Sequence, residues 1–148
     1  LGFVGNNPKD DWKSIKRPEM FHEICKKVNL TPVTLSGRKN GKDMYYDVDA
    51  IICTSTAEGL PTYFAEAAAC KIPFISTDVG IVRYYKSVKK FKTIEEAVEI
   101  INELNKSPRI LNEYSAQIHN EMFPDRNWEN ILEKYWIPHF KKMINYGK

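Results

Sequence analysis

Two rhythms of apolar residues run through this chain. Short runs rich in apolar and β-branched residues, at 1–4 (Leu1 to Val4), 31–35 (Thr31 to Leu35), 50–53 (Ala50 to Cys53) and 74–77 (Phe74 to Thr77), read as strands. Between and after them the spacing turns helical. Pro18 opens an amphipathic stretch in which Met20, Phe21, Ile24 and Val28 keep helical intervals. Pro61 falls at a first helical position, where its fixed φ fits and its missing N–H is not needed. The Ala-rich run from Thr62 to Cys70 follows and ends before Pro73. Thr93 is placed to cap a helix through Asn105, with Glu96 three residues on completing a capping box. Pro108 starts another helix that runs to about Met122. A last one begins near Asn127 and carries Trp128, Ile131, Leu132, Tyr135, Trp136, Phe140, Met143 and Ile144, with a kink expected at Pro138.

The intervening segments are polar or turn-forming: Gly5-Asn-Asn-Pro8, a charged loop through Lys13, the loop Ser36 to Lys42, a short helical turn from Asp43 to Asp47, and Asp78-Val-Gly80. Phe91 is expected on a short edge strand. Strands and helices alternate over the first 92 residues and helices alone close the chain. That order predicts an α/β fold, a mostly parallel Rossmann-like sheet with helices on both faces and a helical C-terminal end. In such sheets ligands bind outside the carboxyl ends of the strands, so Gly5, Gly37, Glu58 and Asp78 should share one rim. The stretch from Thr56 to Pro73 stands out on it. Its turn carries Glu58 and its helix Glu66, which suits an anionic ligand at a helix N-terminus with carboxylates beside it to grip hydroxyls.

The totals narrow this little. A length of 148 residues makes one domain, 1–148, the default, and 43% hydrophobic with 28% charged residues is an ordinary globular balance. No apolar run approaches the roughly 20 residues of a membrane-spanning helix. The chain starts at Leu1 without Met, directly on a strand-like run, and is expected to be a fragment. A net charge of +3 permits phosphate or anionic-membrane contact without requiring it. The patch Arg83, Tyr84, Tyr85, Lys86, Lys89, Lys90 and Lys92 reads first as a solvated edge, with peripheral membrane contact as the second option. No nucleic-acid motif accompanies it. Cys25, Cys53 and Cys70 are an odd number without a Cys-x-x-Cys pair, and all three are expected as reduced core thiols in a cytoplasmic chain. His22, His119 and His139 lie in separate helices and are assigned surface or packing roles.

The run from Glu58 to Gly80 resembles the donor-site signature of retaining glycosyltransferases of the GT-B fold, in the large family 4 group. Two glutamates separated by seven residues are followed there by small residues, a Pro, an apolar strand and a Thr-Asp-x-Gly turn. More weakly, Leu1 to Gly5 is similar to the opening strand of that family's C-terminal domain, Asp49-Ala-Ile-Ile to its aspartate-led strand, and the Trp128 segment to its closing helix. The resemblance implies a set of roles. Glu58 would bind the donor-sugar hydroxyls, with Gly59 letting the sugar lie close to the backbone. Glu66 would hold the ribose diol, since one carboxylate accepts two hydrogen bonds at once. The backbone N–H groups of Thr62 and Tyr63 would meet the diphosphate. Arg38 and Lys39 would lie near the base. Leu60, Gly5, Asn6 and Arg17 complete the donor-binding set. The family uses an Arg just after the first strand and a Lys further on to meet charge on the leaving phosphate. Asn6 stands in the Arg place here, Lys16 is the best match for the Lys and the second catalytic candidate beside Glu58, and Arg17 replaces a usual Gly and is placed to compensate for the missing Arg. After Gly80 the family often has a second Gly and then a Glu, where Ile81 and Tyr84 stand.

The resemblance thus implies the C-terminal, donor-binding half of a hexosyl-type transferase, using a nucleotide diphosphate sugar, retaining the anomeric configuration and needing no metal or other cofactor. Its acceptor, a glycan or a lipid-linked sugar as in polysaccharide biosynthesis, would be bound by an N-terminal domain absent here, so the fragment alone should transfer nothing. The enzyme would work in the cytoplasm, with the inner face of the membrane as a second option. Two alternatives stay open on the residues: a GT-B nucleotide-sugar epimerase, and a catalytically silent Rossmann-like module that binds a partner. Read without the resemblance, Glu58 and Glu66 are a solvated loop carboxylate and a helix-face one, and the aromatic C-terminal helix is most simply core. Its apolar face would be bare only if it belongs against the missing half.

Overall fold

A computed structural model describes residues 1–4, 13–35, 45–123 and 128–145. Its centre is a five-stranded sheet, β1 (Gly2–Phe3), β2 (Val33–Thr34), β3 (Ile51–Cys53), β4 (Phe74–Thr77) and β5 (Lys89–Phe91), in the order β2-β1-β3-β4-β5. All four pairings are parallel, with Gly2 opposite both Val33 and Ile51, and Ile52 opposite Ile75. The α/β expectation holds, and Phe91 sits on the edge strand as predicted.

Four helices cover the sheet: α2 (Pro18–Val28), α3 (Thr62–Ala69), α4 (Ile94–Leu104) and α5 (Pro108–Met122), with the single turn α1 (Lys13–Lys16) ahead of α2. The strand order decides which face each takes. From β1 the chain steps one way to β2, and from β3 it steps the other way to β4. Right-handed crossovers in opposite directions place α2 and α3 on opposite faces. In agreement, α2 packs with α4 and α3 with α5. Phe21 and Ile24 of α2 and Phe64 of α3 are fully buried, as are Phe74 and Phe91 of the sheet. Phe64 lies 4.9 Å, centroid to centroid, from both Phe74 and Tyr85.

The local signals act as read. Pro18 occupies the first turn of α2. Thr93 and Glu96 form the full capping box of α4, with Asn105 as its C-cap. Pro61 is displaced by one: it is the N-cap of α3, extended at ψ 100°, and Thr62 is the first helical residue. At the other end α3 closes in a Schellman motif, with Ile72 N–H on Ala67 O at 2.8 Å and Lys71 N–H on Ala68 O at 3.2 Å. Lys71 fills the left-handed position, φ 55°, where Gly is the usual choice. This stop corrects the reading of Cys70. Cys25 and Cys53 are buried thiols, but Cys70 is exposed. At about 100° per residue it sits roughly 90° from the centre of the stripe formed by Tyr63, Phe64, Ala67 and Ala68.

The C-terminal helix departs from expectation in two ways. It runs as α6 (Trp128–Ile131), a π-helical turn (Leu132–Trp136) and α7 (Ile137–Asn145). The irregularity falls just ahead of Pro138 as a π-turn, in which Ile137 N–H bonds Leu132 O. Pro138 cannot donate to the carbonyl four residues back, and a one-residue widening re-registers the ladder before it. That widening turns the following segment by about 100°. It brings Trp128, Leu132, Tyr135 and Trp136 into line with Ile137, Phe140, Met143 and Ile144. The stripe is not core, which corrects the simpler reading: no described residue of these segments is buried, and Trp128 is 71% exposed. No described helix is long and apolar enough to cross a membrane.

Two expectations follow. Replacing Lys71 by Gly removes left-handed strain of about 1–2 kcal/mol, offset in part by the greater freedom of an unfolded Gly. Urea midpoints should show a net gain of about 0.5–1 kcal/mol. Glu121 on α5 accepts from the N–H groups of Lys86 and Ser87 at 2.8 and 2.7 Å, and from the Ser87 hydroxyl. Burial would raise its carboxyl, but these hydrogen bonds and the charge of Lys90 outweigh it and lower the pKa. A lowered folded-state pKa gives stability that is present above the unfolded value of about 4.3 and lost as pH falls through the folded one. Melting curves of Glu121→Gln and the parent chain should therefore differ most above about pH 5 and converge in acid.

Candidate functional site

Strand β3 ends in two polar residues that are nonetheless buried, Thr54 and Ser55. Each is there because it has partners. The Thr54 hydroxyl lies 2.6 Å from Lys16 O and 3.1 Å from Arg17 O. In return Arg17 Nε donates to Thr54 O at 2.6 Å, and Thr56 N–H donates to Ile15 O at 2.7 Å. The link between α1 and α2 is thereby fastened to the loop after β3. Arg17 takes a left-handed conformation, φ 49°, which Gly adopts more readily than Arg. Its guanidinium is turned to the Thr54 and Ser55 carbonyls and is not among the groups lining the cleft.

Fastening the link aims Lys16. Its Nζ stands 2.5 Å from Glu58 Oε1 and 5.2 Å above the Tyr63 ring, with 23% and 14% of the Lys16 and Glu58 side chains exposed. Ser55 Oγ donates to the same oxygen at 2.7 Å, and the Tyr63 hydroxyl lies 3.4 Å from it. Burial, reinforced by Cys53 at 3.1 Å and by Glu58, pushes the Tyr63 phenol up, so it remains a protonated donor. All three donors converge on Oε1; among the described residues Oε2 has no partner.

These groups line a cleft of about 210 Å³, walled by Val4, Lys16, Glu58, Leu60, Pro61, Thr62 and Tyr63. Val4 follows β1 and Glu58 follows β3, the two strands from which the chain leaves in opposite directions, so the cleft lies at the topological switch point. The N-terminus of α3 opens into it, with no acidic residue in the first turn to neutralise its N–H groups. Across the loop, Gly80 (φ 52°) packs so closely that a Cβ there would lie 2.2 Å from Gly59 O, and Ile81 N–H holds that carbonyl at 3.0 Å. A Cβ on Gly59 would meet nothing within 4 Å, so that side of the loop is open. A larger cavity of about 320 Å³ lies at the opposite edge, ahead of β1 and β3, among Leu1, Leu30, Ala50, Ile101 and Leu104. It lacks converging charged groups, and the smaller cleft is the better functional candidate on its chemistry.

Glu66 lies about 6 Å further along α3 than Thr62, outside the cleft lining, exposed, and bonded through Oε2 to the Tyr45 hydroxyl. Tyr45 is itself buried and begins a short 3₁₀ turn over 45–47. Burial first, then the bond to Glu66 and its charge, pushes its phenol up. Of the expected site residues, Lys16, Glu58, Leu60, Thr62 and Tyr63 come together; Gly5, Asn6, Arg38 and Lys39, with Gly37, lie outside the described residues. No group of three His, Cys, Asp or Glu residues able to hold a metal occurs among the described residues. Sequence reasoning missed Ser55, Thr54 and Tyr45. Ser55 had a signal, a hydroxyl three residues before Glu58 at the end of a buried strand. Tyr45 had none, since its partner is 21 residues away.

The sequence profile described as Glycosyl transferases group 1 matches residues 1–109. No curated protein matches the chain. Among solved structures it is similar to the C-terminal domain of a glycosyl transferase group 1 family protein from Francisella tularensis, with a TM-score of 0.55 and 15% identity. The match covers 78% of this chain and 63% of that one. At such identity the likeness speaks for the fold alone. The profile spans both the cleft and α3, and on that match the chain belongs to the glycosyl transferases group 1 family.

Proposed function

We propose that this chain is the donor-binding domain of a retaining GT-B glycosyltransferase that takes a nucleotide diphosphate sugar. One observation carries the reading: Lys16 and Glu58 meet at the open N-terminus of α3, at the switch point of the sheet. A diphosphate sugar presents two kinds of group, charged phosphate oxygens and neutral hydroxyls. The Lys16 ammonium and the Thr62 and Tyr63 N–H groups suit the first, and the Glu58 carboxylate suits the second. As the bond to the sugar breaks, charge grows on the leaving phosphate. A cation and a helix N-terminus already aimed there need no reorganisation to meet it. In the resting state Lys16 is paired with Glu58, so an arriving diphosphate shares the ammonium rather than meeting an isolated one. Glu66, one turn along α3, holds the ribose diol, and Arg38 and Lys39 contact the base.

The remaining parts of the proposal extend the same reading by resemblance. An N-terminal domain supplies the acceptor, a glycan or a lipid-linked sugar, and transfer of a hexose needs both halves and no metal. The work is done in the cytoplasm, with the basic edge around Lys86 to Lys92 available for a membrane surface.

Isothermal titration of this chain with uridine and guanosine diphosphates should show binding to at least one. A folded sample giving no heat with any nucleoside diphosphate would end the proposal. In the full-length protein Glu58→Ala should lower transfer by about 100-fold or more with little change in melting temperature, and turnover at the parent rate would contradict its role.

A further inference from the structure

The contact between Tyr45 and Glu66 gives the hydroxyl of a buried tyrosine its partner, and that partner is a surface side chain. Glu66 is an exposed residue of α3, whereas Tyr45 is 5% exposed and packed in the core. A buried ring therefore extends its hydroxyl to the carboxylate of a surface side chain. An exposed Glu has three rotatable bonds and loses rotamer entropy when a ligand fixes it. A charge-assisted hydrogen bond from a rigid donor removes that freedom beforehand. The bond uses one acceptor place on Oε2. A carboxylate has about four, and among the described residues Oε1 and the second place on Oε2 have no other donor.

The geometry points to Tyr45 as a positioning residue for ligand recognition: its hydroxyl orients Glu66 so that the free carboxylate oxygen receives a vicinal diol, that of the ribose in a nucleoside diphosphate. This rests on the donor-site reading above and extends it, since it assigns the choice of ribose over deoxyribose to a residue outside the cleft. Glu58 is also held through one oxygen, by Lys16 at 2.5 Å and Ser55 at 2.7 Å, and among the described residues the other oxygen has no partner. Burial first, then the bond to Glu66 and its charge, pushes the Tyr45 phenol up, so it stays a protonated donor near neutral pH.

Tyr45→Phe retains the buried ring and deletes the hydroxyl alone. Titration calorimetry with the chain would compare a ribonucleoside diphosphate with its 2′-deoxy and 3′-deoxy counterparts. The parent chain should prefer the ribo form by about tenfold, the worth of one or two hydrogen bonds. Tyr45→Phe should weaken the ribo form about fivefold while leaving the deoxy forms unchanged, and in full-length enzyme it should raise KM with kcat intact. In a Glu66→Ala background, adding Tyr45→Phe should change affinity no further. An equal loss for ribo and deoxy ligands, an undiminished ribose preference, or additive losses in the double variant would each overturn the positioning role while leaving the donor site standing. Failure of the parent chain to bind any nucleoside diphosphate would overturn both.

Discussion

The site depends on one attachment, that of residues 15–17 to the end of β3. Thr54 is a fully buried polar residue, tolerable there only because its hydroxyl and carbonyl both find partners on Lys16 and Arg17. A further hydrogen bond, from Thr56 N–H to Ile15 O, keeps the two segments in register. The link between α1 and α2 cannot drift while these bonds hold, so the Lys16 side chain has a short, fixed path to Glu58. Losing the attachment would leave a half-buried ammonium and carboxylate without a defined separation. For that reason the charged pair is better seen as a product of buried backbone hydrogen bonding than as its cause.

The attachment in turn follows from topology. Opposite crossovers from β1 and β3 open a crevice between the carboxyl ends of two adjacent strands. The α1–α2 link forms one wall and the start of α3 the other. Gly80 closes the back by approaching the Glu58–Gly59 peptide more nearly than any side chain would permit. At the far edge of the chain, the C-terminal helix collects its aromatic residues into one exposed stripe through the π-turn before Pro138.

Much of the fold was legible because its signals are local. The apolar runs, the prolines opening α2 and α5, and the Thr93–Glu96 box each act within a few residues, and each element formed where they stand. The misreadings came from places where a neighbour or a stop decides. Cys70 looked like part of an apolar helix, but the left-handed turn at Lys71 ends that helix and leaves the thiol outside. The C-terminal helix has the composition of core, yet none of its described residues is buried. In the site, Glu58, Lys16 and the start of α3 were identifiable from spacing and resemblance, whereas the inward turn of Arg17 was not.

The sequence alone determined the alternation of strands and helices, hence the parallel sheet and the rim on which a ligand site must lie, because handedness and hydrophobic period leave few other arrangements. It also placed two carboxylates on a turn and its helix. Only the tertiary structure decided which atoms meet: that Lys16 and Ser55 share one oxygen of Glu58, and that Tyr45 reaches Glu66 across 21 residues. Contacts between distant segments depend on how loops are fastened to the sheet, and the hydrogen bonds that fasten them carry no period that a one-dimensional pattern can display.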